Sequence, residues 1–141
     1  MSRLLCHSPR ESALAARAAR AIAGAHVQLR WRSIEAMRQW ATTRARRDCP
    51  REDLLTAFRR AAARLPGTCL VRALALQRLL AEHGHSSELR IGVAKGAGGL
   101  VAHAWLVDGA EVLIGGGPEA ATYTVLANWP DAAAPGAGLF R

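Results

Sequence analysis

Apolar side chains recur every three or four residues through the first half of the chain, which is the spacing of one face of an α-helix. They predict one or two helices over residues 11–46, a further helix over 51–65 and another over 69–83. Pro50 and Pro66 separate these segments, because proline disfavours helical backbone in the residue before it. The segment over 69–83 is apolar on a broad face, which indicates a buried helix. Three tryptophans are expected in the core: Trp31, Trp40 and Trp129.

Apolar and polar residues alternate in the second half of the chain, as they do in β-strands with one buried face. The predicted strands span residues 88–93, 100–107, 111–114 and 123–126. Asp108-Gly109 lies between two of them and is a strong hairpin signal. The glycine-rich residues 95–99 are predicted to form a loop between strands, since they lack the pattern of a phosphate-binding loop.

Helices followed by an antiparallel sheet are the order of an α+β fold. A chain of 141 residues fits a single domain. Within it we distinguish a helical, arginine-rich segment at residues 1–50 that packs on the core, and the core itself at residues 51–130. The remaining residues, 131–141, are mostly Ala, Gly and Pro, and are expected to form a loose tail.

The formal net charge of +8 comes from the N-terminal third of the chain. Residues 1–47 hold ten arginines against Glu11 and Glu35, whereas residues 48–141 hold nine basic and nine acidic residues. A basic arm of this kind is typical of proteins that bind nucleic acid, an anionic membrane surface or an acidic peptide. A solvated arginine face is the other interpretation. Because the arginines are spread along the segment and not bunched, we predict no nucleic-acid partner.

No apolar run approaches the roughly 18 residues that a membrane span needs, and the apolar stretch at residues 1–6 is too short for a secretory signal. We therefore expect a cytoplasmic protein without a membrane span. The three cysteines, Cys6, Cys49 and Cys69, form no C-x-x-C pair, which argues against a disulfide framework and a zinc ribbon. Because the sequence has no nucleotide or zinc motif, we expect neither a cofactor nor a metal.

Cys69 and His103 are the candidate catalytic residues. Cys69 follows a Pro-Gly-Thr turn at the predicted start of a helix, where the helix dipole stabilises a thiolate and the first amides can hold an oxyanion. His103 lies in an apolar strand with Trp105 on the same face. Each residue alone is more often structural. Adjacent in space, they form a thiol–imidazole pair in which the histidine is the general base.

Three blocks of sequence resemble the stand-alone leader peptidases of lasso-peptide biosynthesis, which belong to the transglutaminase-like cysteine protease superfamily. Residues 68–77 (TCLVRALALQ) resemble the nucleophile helix of that family, residues 89–93 (LRIGV) its next strand, and residues 102–109 (AHAWLVDG) its histidine hairpin. The resemblance implies a transglutaminase-like, papain-like α+β fold, with Cys69 as the nucleophile and His103 as its base.

The resemblance extends over residues 54–126 and also implies a function. Such enzymes are cysteine endopeptidases that remove the N-terminal leader from a ribosomally made precursor peptide. The implied partners are the precursor peptide, a separate leader-binding protein that presents it, and the ATP-dependent lasso cyclase. Two other classes stay open. One is a transglutaminase-like acyl transferase or hydrolase that uses the same residue pair on another substrate, and the other is a non-catalytic module that binds a peptide or nucleic acid.

The third catalytic residue of the family is missing from its expected place. The family has an aspartate about a dozen residues after the histidine, where this chain reads VLIGG at residues 112–116. Glu119, Asn128 or a backbone carbonyl remain to orient the imidazole. A thiol is acidic enough to react with a histidine alone, so the missing aspartate does not exclude catalysis.

Two acidic residues close to the histidine in sequence are poor substitutes. With a turn at Asp108-Gly109, Glu111 is predicted to pair near Leu106, which places it about 10 Å along the strand from His103. Asp108 is expected to lie farther away.

Overall fold

The computed structural model describes residues 9–45, 49–116 and 122–130. Within these residues four helices come first and a four-stranded antiparallel sheet follows, which confirms the predicted α+β order. The helices are α1 (Pro9–Trp31), α2 (Ile34–Thr42), α3 (Arg51–Arg64) and α4 (Cys69–Glu82). The strands are β1 (Glu88–Gly96), β2 (Gly99–Asp108), β3 (Glu111–Ile114) and β4 (Thr124–Pro130).

The long N-terminal segment divides into two helices at Ser33. The hydroxyl of Ser33 accepts a hydrogen bond from the Ala36 amide at 3.2 Å, which caps α2. Helix α1 buries the face that the helical spacing predicts, at Leu14, Ala18, Ala21, Ile22 and Ala25. The prediction for Trp31 is wrong, because this residue ends α1 with 73% of its surface exposed, and the guanidinium of Arg30 lies over its ring.

The sheet has the strand order β3-β2-β1-β4, and every neighbouring pair is antiparallel. Strand β2 is therefore interior, as its apolar run predicts. The expected hairpin turn joins β2 to β3, and Gly109 in that turn has a φ of +59°, which glycine adopts without steric cost.

Two strand boundaries differ from the prediction. Residues 95–99 do not form a loop, because β1 continues through Gly96 and leaves only residues 97–98 as the turn. The side chain of Val101 lies where a Cβ of Gly96 would be, so the glycine admits a cross-strand neighbour and does not end the strand. Strand β4 runs on to Pro130, beyond the predicted end at residue 126.

Helix α4 is the centre of the core. Nine of its 14 residues are buried, and it packs against the three other helices on one side and against β2 on the other. Leu89, Ala104 and Leu106 supply much of the sheet's side of this core. Trp40 and Trp129 pack against it, as expected of them.

Helices α1 and α2 share the core of α3 and α4, and no separate core forms in residues 9–45. In the described part of the chain, no helix is both long and apolar enough to cross a membrane. The tail at residues 131–141 lies outside the described residues, and the boundaries drawn at residues 50 and 130 stay predictions.

We expect Leu106→Ala to lower the free energy of unfolding by about 2–5 kcal/mol, because it removes a fully buried side chain and leaves a cavity. Leu100→Ala in the same strand is the control. Leu100 is 74% exposed, and its replacement should cost less than about 0.5 kcal/mol. Urea denaturation of both variants measures the difference, and equal losses would contradict the burial of Leu106 beside an exposed Leu100.

Candidate active site

Cys69 is the first residue of α4, as its sequence context predicts. Thr68 caps the helix, since its backbone is extended and its hydroxyl accepts a hydrogen bond from the Val71 amide at 3.3 Å. The Arg72 amide donates to the carbonyl oxygen of Thr68. These two bonds do not use the amides of Cys69 and Leu70, which remain at the thiol's end of the helix as donors for an anionic oxygen. The thiol is free and half-buried against the core.

His103 lies in β2, opposite Gly92 of β1. Its ring stacks on Trp105, with ring centroids 5.9 Å apart, and lies against Tyr123 at 5.2 Å. The indole of Trp105 covers Gly92, where a Cβ would come within 3.0 Å of that ring. The imidazole is thus held in an aromatic cluster, which limits the orientations that it can adopt.

A backbone carbonyl fixes the imidazole of His103. The Nε2 atom lies 2.5 Å from the carbonyl oxygen of Gly115, which directly follows β3 and stands twelve residues after the histidine. A carbonyl oxygen only accepts hydrogen bonds, so Nε2 carries the proton in this contact. In the neutral ring the unprotonated nitrogen is then Nδ1, which is free to act as a base. The bond matches the backbone-carbonyl alternative for the missing aspartate.

Gly115 itself excludes an aspartate at its position. Its φ is +78°, which is unfavourable for residues with a side chain, and a Cβ there would lie 2.7 Å from the carbonyl oxygen of Ala104. The close approach of this backbone to β2 is what brings the Gly115 carbonyl to the imidazole of His103.

Arg51 forms ion pairs with Asp108 and Glu111, the two acidic residues nearest to His103 in sequence. Its guanidinium donates to Asp108 at 2.5 Å and to Glu111 at 2.7 Å, which ties the start of α3 to the β2–β3 hairpin. The hydrogen bond to Glu111 is the main cause that raises the pKa of Arg51 above its usual value. The predicted pairing of Glu111 near Leu106 is wrong, because Glu111 pairs with Asp108.

Neither remaining side-chain candidate is seen to orient His103. Asn128 pairs with Arg90 across β1 and β4, and its Oδ1 atom is buried without a hydrogen-bond partner in the described part of the chain. Glu119 lies outside the described residues. Among the described residues, no group of three or more His, Cys, Asp or Glu side chains could hold a metal ion.

His103 lies on the face of the sheet opposite to the helices, and Cys69 lies on the helix side. Ala104 and Leu106 pack in the core with the helices, so the alternation of β2 turns His103 and Trp105 to the opposite face. Cys69 packs against the helix-side core. The structure therefore does not place the imidazole on the side of the sheet that the helices cover.

A count of residues along α4 and β1 gives the expected level of Cys69 along the sheet. Gln77 of α4 donates a hydrogen bond to the carbonyl of Ser87, just before β1. Cys69 precedes Gln77 by eight residues, which is about 12 Å of helix. If α4 runs alongside β1, that length corresponds to between three and four strand residues and reaches residues 90–91, next to Gly92, the partner of His103. Contact between Sγ and Nδ1 stays a prediction.

We expect Gly115→Ala to destabilise the fold by more than the roughly 1–2 kcal/mol that a left-handed alanine costs, since its Cβ also meets the Ala104 carbonyl. Gly84→Ala is a matched control, because Gly84 has a φ of +79° with open space around it. Urea denaturation compares the two variants. Equal losses would show that the Gly115 backbone has room to move away from β2.

Residues 12–128 match the family model of the transglutaminase-like superfamily, which is most of the chain. The match begins in α1 and ends in β4, so it includes N-terminal helices that the sequence blocks do not cover. No curated protein and no solved structure gave a match. The family supports a fold of the cysteine-protease and acyltransferase type and confirms the predicted fold class. The chain belongs to the transglutaminase-like superfamily.

Proposed function

We propose that this protein is a cysteine endopeptidase that removes the leader from a ribosomally made lasso precursor peptide, with Cys69 as nucleophile and His103 as general base. The observation that carries the assignment is the hydrogen bond from His103 to the Gly115 carbonyl, because it supplies the orienting contact that the absent aspartate would make. Superfamily membership and the capped helix that begins at Cys69 support it.

The proposed reaction follows from these groups. Nδ1 of His103 accepts the thiol proton, and Sγ of Cys69 attacks the carbonyl carbon of the scissile peptide bond. The amides of Cys69 and Leu70 are placed to stabilise the resulting oxyanion. His103 then donates its proton to the leaving amine, which releases the new N-terminus of the core peptide. Water, deprotonated by the same imidazole, hydrolyses the thioester and regenerates the thiol.

This chemistry requires Sγ and Nδ1 to come within hydrogen-bond distance in the substrate complex. The proposed partners are the precursor peptide, a separate leader-binding protein that presents it, and the ATP-dependent lasso cyclase that would use the released core. The proposed location is the cytoplasm. An acyl transferase or hydrolase acting on another substrate would use the same residues, and substrate trials separate it from the leader peptidase.

A non-catalytic binding module is the second candidate function. It is favoured by the orientation of His103, whose ring faces away from the helices and links β2 to the backbone after β3. On this interpretation the imidazole is a structural clamp. Its removal would then lower stability, and Cys69 would have no special reactivity.

We expect Cys69→Ala to abolish cleavage of the precursor peptide encoded beside the gene and His103→Ala to slow it by about a hundredfold or more. Mass spectrometry of the peptide, incubated with this protein and the leader-binding protein, measures both. Cys49→Ala is the control, because Cys49 is the other free cysteine in the described residues and lies in the core. Cleavage by Cys69→Ala would reject the nucleophile, and an inactive but folded, peptide-binding wild type would favour the binding module.

The carbonyl assignment gives a separate prediction for the acidic residues. If Gly115 orients the imidazole, Glu119→Gln and Glu111→Gln should both leave the cleavage rate within a few-fold of wild type, since a backbone carbonyl and not a carboxylate then holds the ring. The same mass-spectrometric assay measures the rates. A large loss in Glu119→Gln with none in Glu111→Gln would instead identify Glu119 as the third catalytic residue.

A further inference from the structure

A groove of about 550 Å³ runs between α1 and α3, on the outside of the helical layer. Its volume is in the range of sites that bind ligands. The floor is apolar and mostly made of small side chains: Leu14, Ala15 and Ala19 from α1, Ala57 and Ala61 from α3, and Leu65 directly after α3. Small side chains let the backbone of another segment approach closely, so the floor suits a packed peptide.

Contacts at both ends fix the direction of the groove. At one end Arg10 of α1 forms an ion pair with Asp53 of α3 at 3.7 Å. At the other end Nε2 of His26 in α1 donates to the carbonyl of Pro66, just after α3, at 2.8 Å. The two helices therefore run parallel, and the second end lies three residues before Cys69.

The end of the groove near Cys69 is positively charged. Arg60 and Arg64 line it from α3, four residues apart on one face, and both are exposed. No acidic side chain in the described parts of the chain forms an ion pair with either of them. The acidic residues of the lining, Glu11 and Asp53, lie at the opposite end, where Asp53 contacts Arg10. The charge near Cys69 therefore favours an acidic ligand.

The shape and charge of the groove select one occupant. A second copy of this chain carries the same net charge of +8, which disfavours self-association at an arginine rim. Nucleic acid binds through phosphates along its whole length, which an alanine floor does not match. The twelve residues of α3 from Asp53 to Arg64 span about 18 Å, the length of a helix of about 12 residues.

We propose that this groove binds an amphipathic helix of the peptide substrate, with its apolar face on the alanine floor and its acidic residues on Arg60 and Arg64. The helix is the part of the substrate that precedes the scissile bond, so that the following residues lead towards Cys69. The proposal rests on the proposed peptidase function and adds the recognition surface for its substrate.

The test uses a fluorescein-labelled helical peptide of about 12 residues, with leucine and alanine on one face and glutamate beside them. Its binding to the full chain carrying Cys69→Ala is measured by fluorescence anisotropy, so the readout does not depend on cleavage. We expect Arg60→Glu with Arg64→Glu to weaken binding by about tenfold, since two attractions become repulsions. Arg59→Glu, on the same helix but outside the groove, should leave binding near wild type.

A second pair of variants tests the floor without changing charge. Ala15→Trp fills the groove and should reduce binding, whereas Ala16→Trp, exposed on the next position of α1 and outside the lining, should not. Circular dichroism checks that all variants fold.

Three outcomes would overturn the proposal: no binding of the helical peptide, equal binding of a scrambled peptide of the same composition, or equal loss in Arg59→Glu and the double variant. None of these outcomes would change what the cleavage assay shows about the peptidase function. If the precursor is cleaved, the double variant should raise KM with little change in kcat. Loss of cleavage in Cys69→Ala would support the peptidase function. An unchanged KM in the variant with both Arg60→Glu and Arg64→Glu would at the same time reject the groove as the binding site of the substrate.

Discussion

The burial of α4 is the constraint on which the rest of the structure depends. Helices surround it on one side and β2 covers the other, so its apolar residues leave water and drive the two layers together. Gln77 is the polar exception at its centre. Its amide donates to the carbonyls of Ser87 and Trp129, which satisfies the buried group and fixes the helix against the end of the sheet where β1 begins and β4 ends. The position of Cys69 at the start of the helix is set by this packing.

The use of a carbonyl in place of a carboxylate changes the electrostatics around His103. A carboxylate would stabilise the imidazolium that forms when the ring takes up a proton. The neutral carbonyl of Gly115 orients the ring and selects the Nε2–H tautomer, but it stabilises the positive charge less. A cysteine nucleophile tolerates this better than a serine, because the thiol releases its proton more readily and demands less of its base.

Periodicity in the sequence is sufficient to predict the helices and strands, because burial of one face imposes it directly. It does not predict the register between strands. Glu111 lies opposite Asp108 because only residues 109–110 form the turn, and the register shift between Leu106 and Val107 lies farther along the hairpin. The sequence has no separate signal for that shift. The contact between His103 and Gly115 is hidden for a related reason: the accepting atom belongs to the backbone, which every residue shares. Only the spacing of twelve residues pointed to the place.

The net charge of a segment of sequence is a poor guide to where a binding surface lies. The N-terminal arginines that produce the net charge are partly used within the fold, since Arg17 contacts His83 and Arg38 lies over Trp129. Their guanidinium groups help to join α1 and α2 to the rest of the protein. Arg60 and Arg64 lie in the part of the chain whose total charge is zero, yet they stand together at one end of an apolar groove. A partner responds to the local potential, so this pair carries more information about docking than the basic segment does.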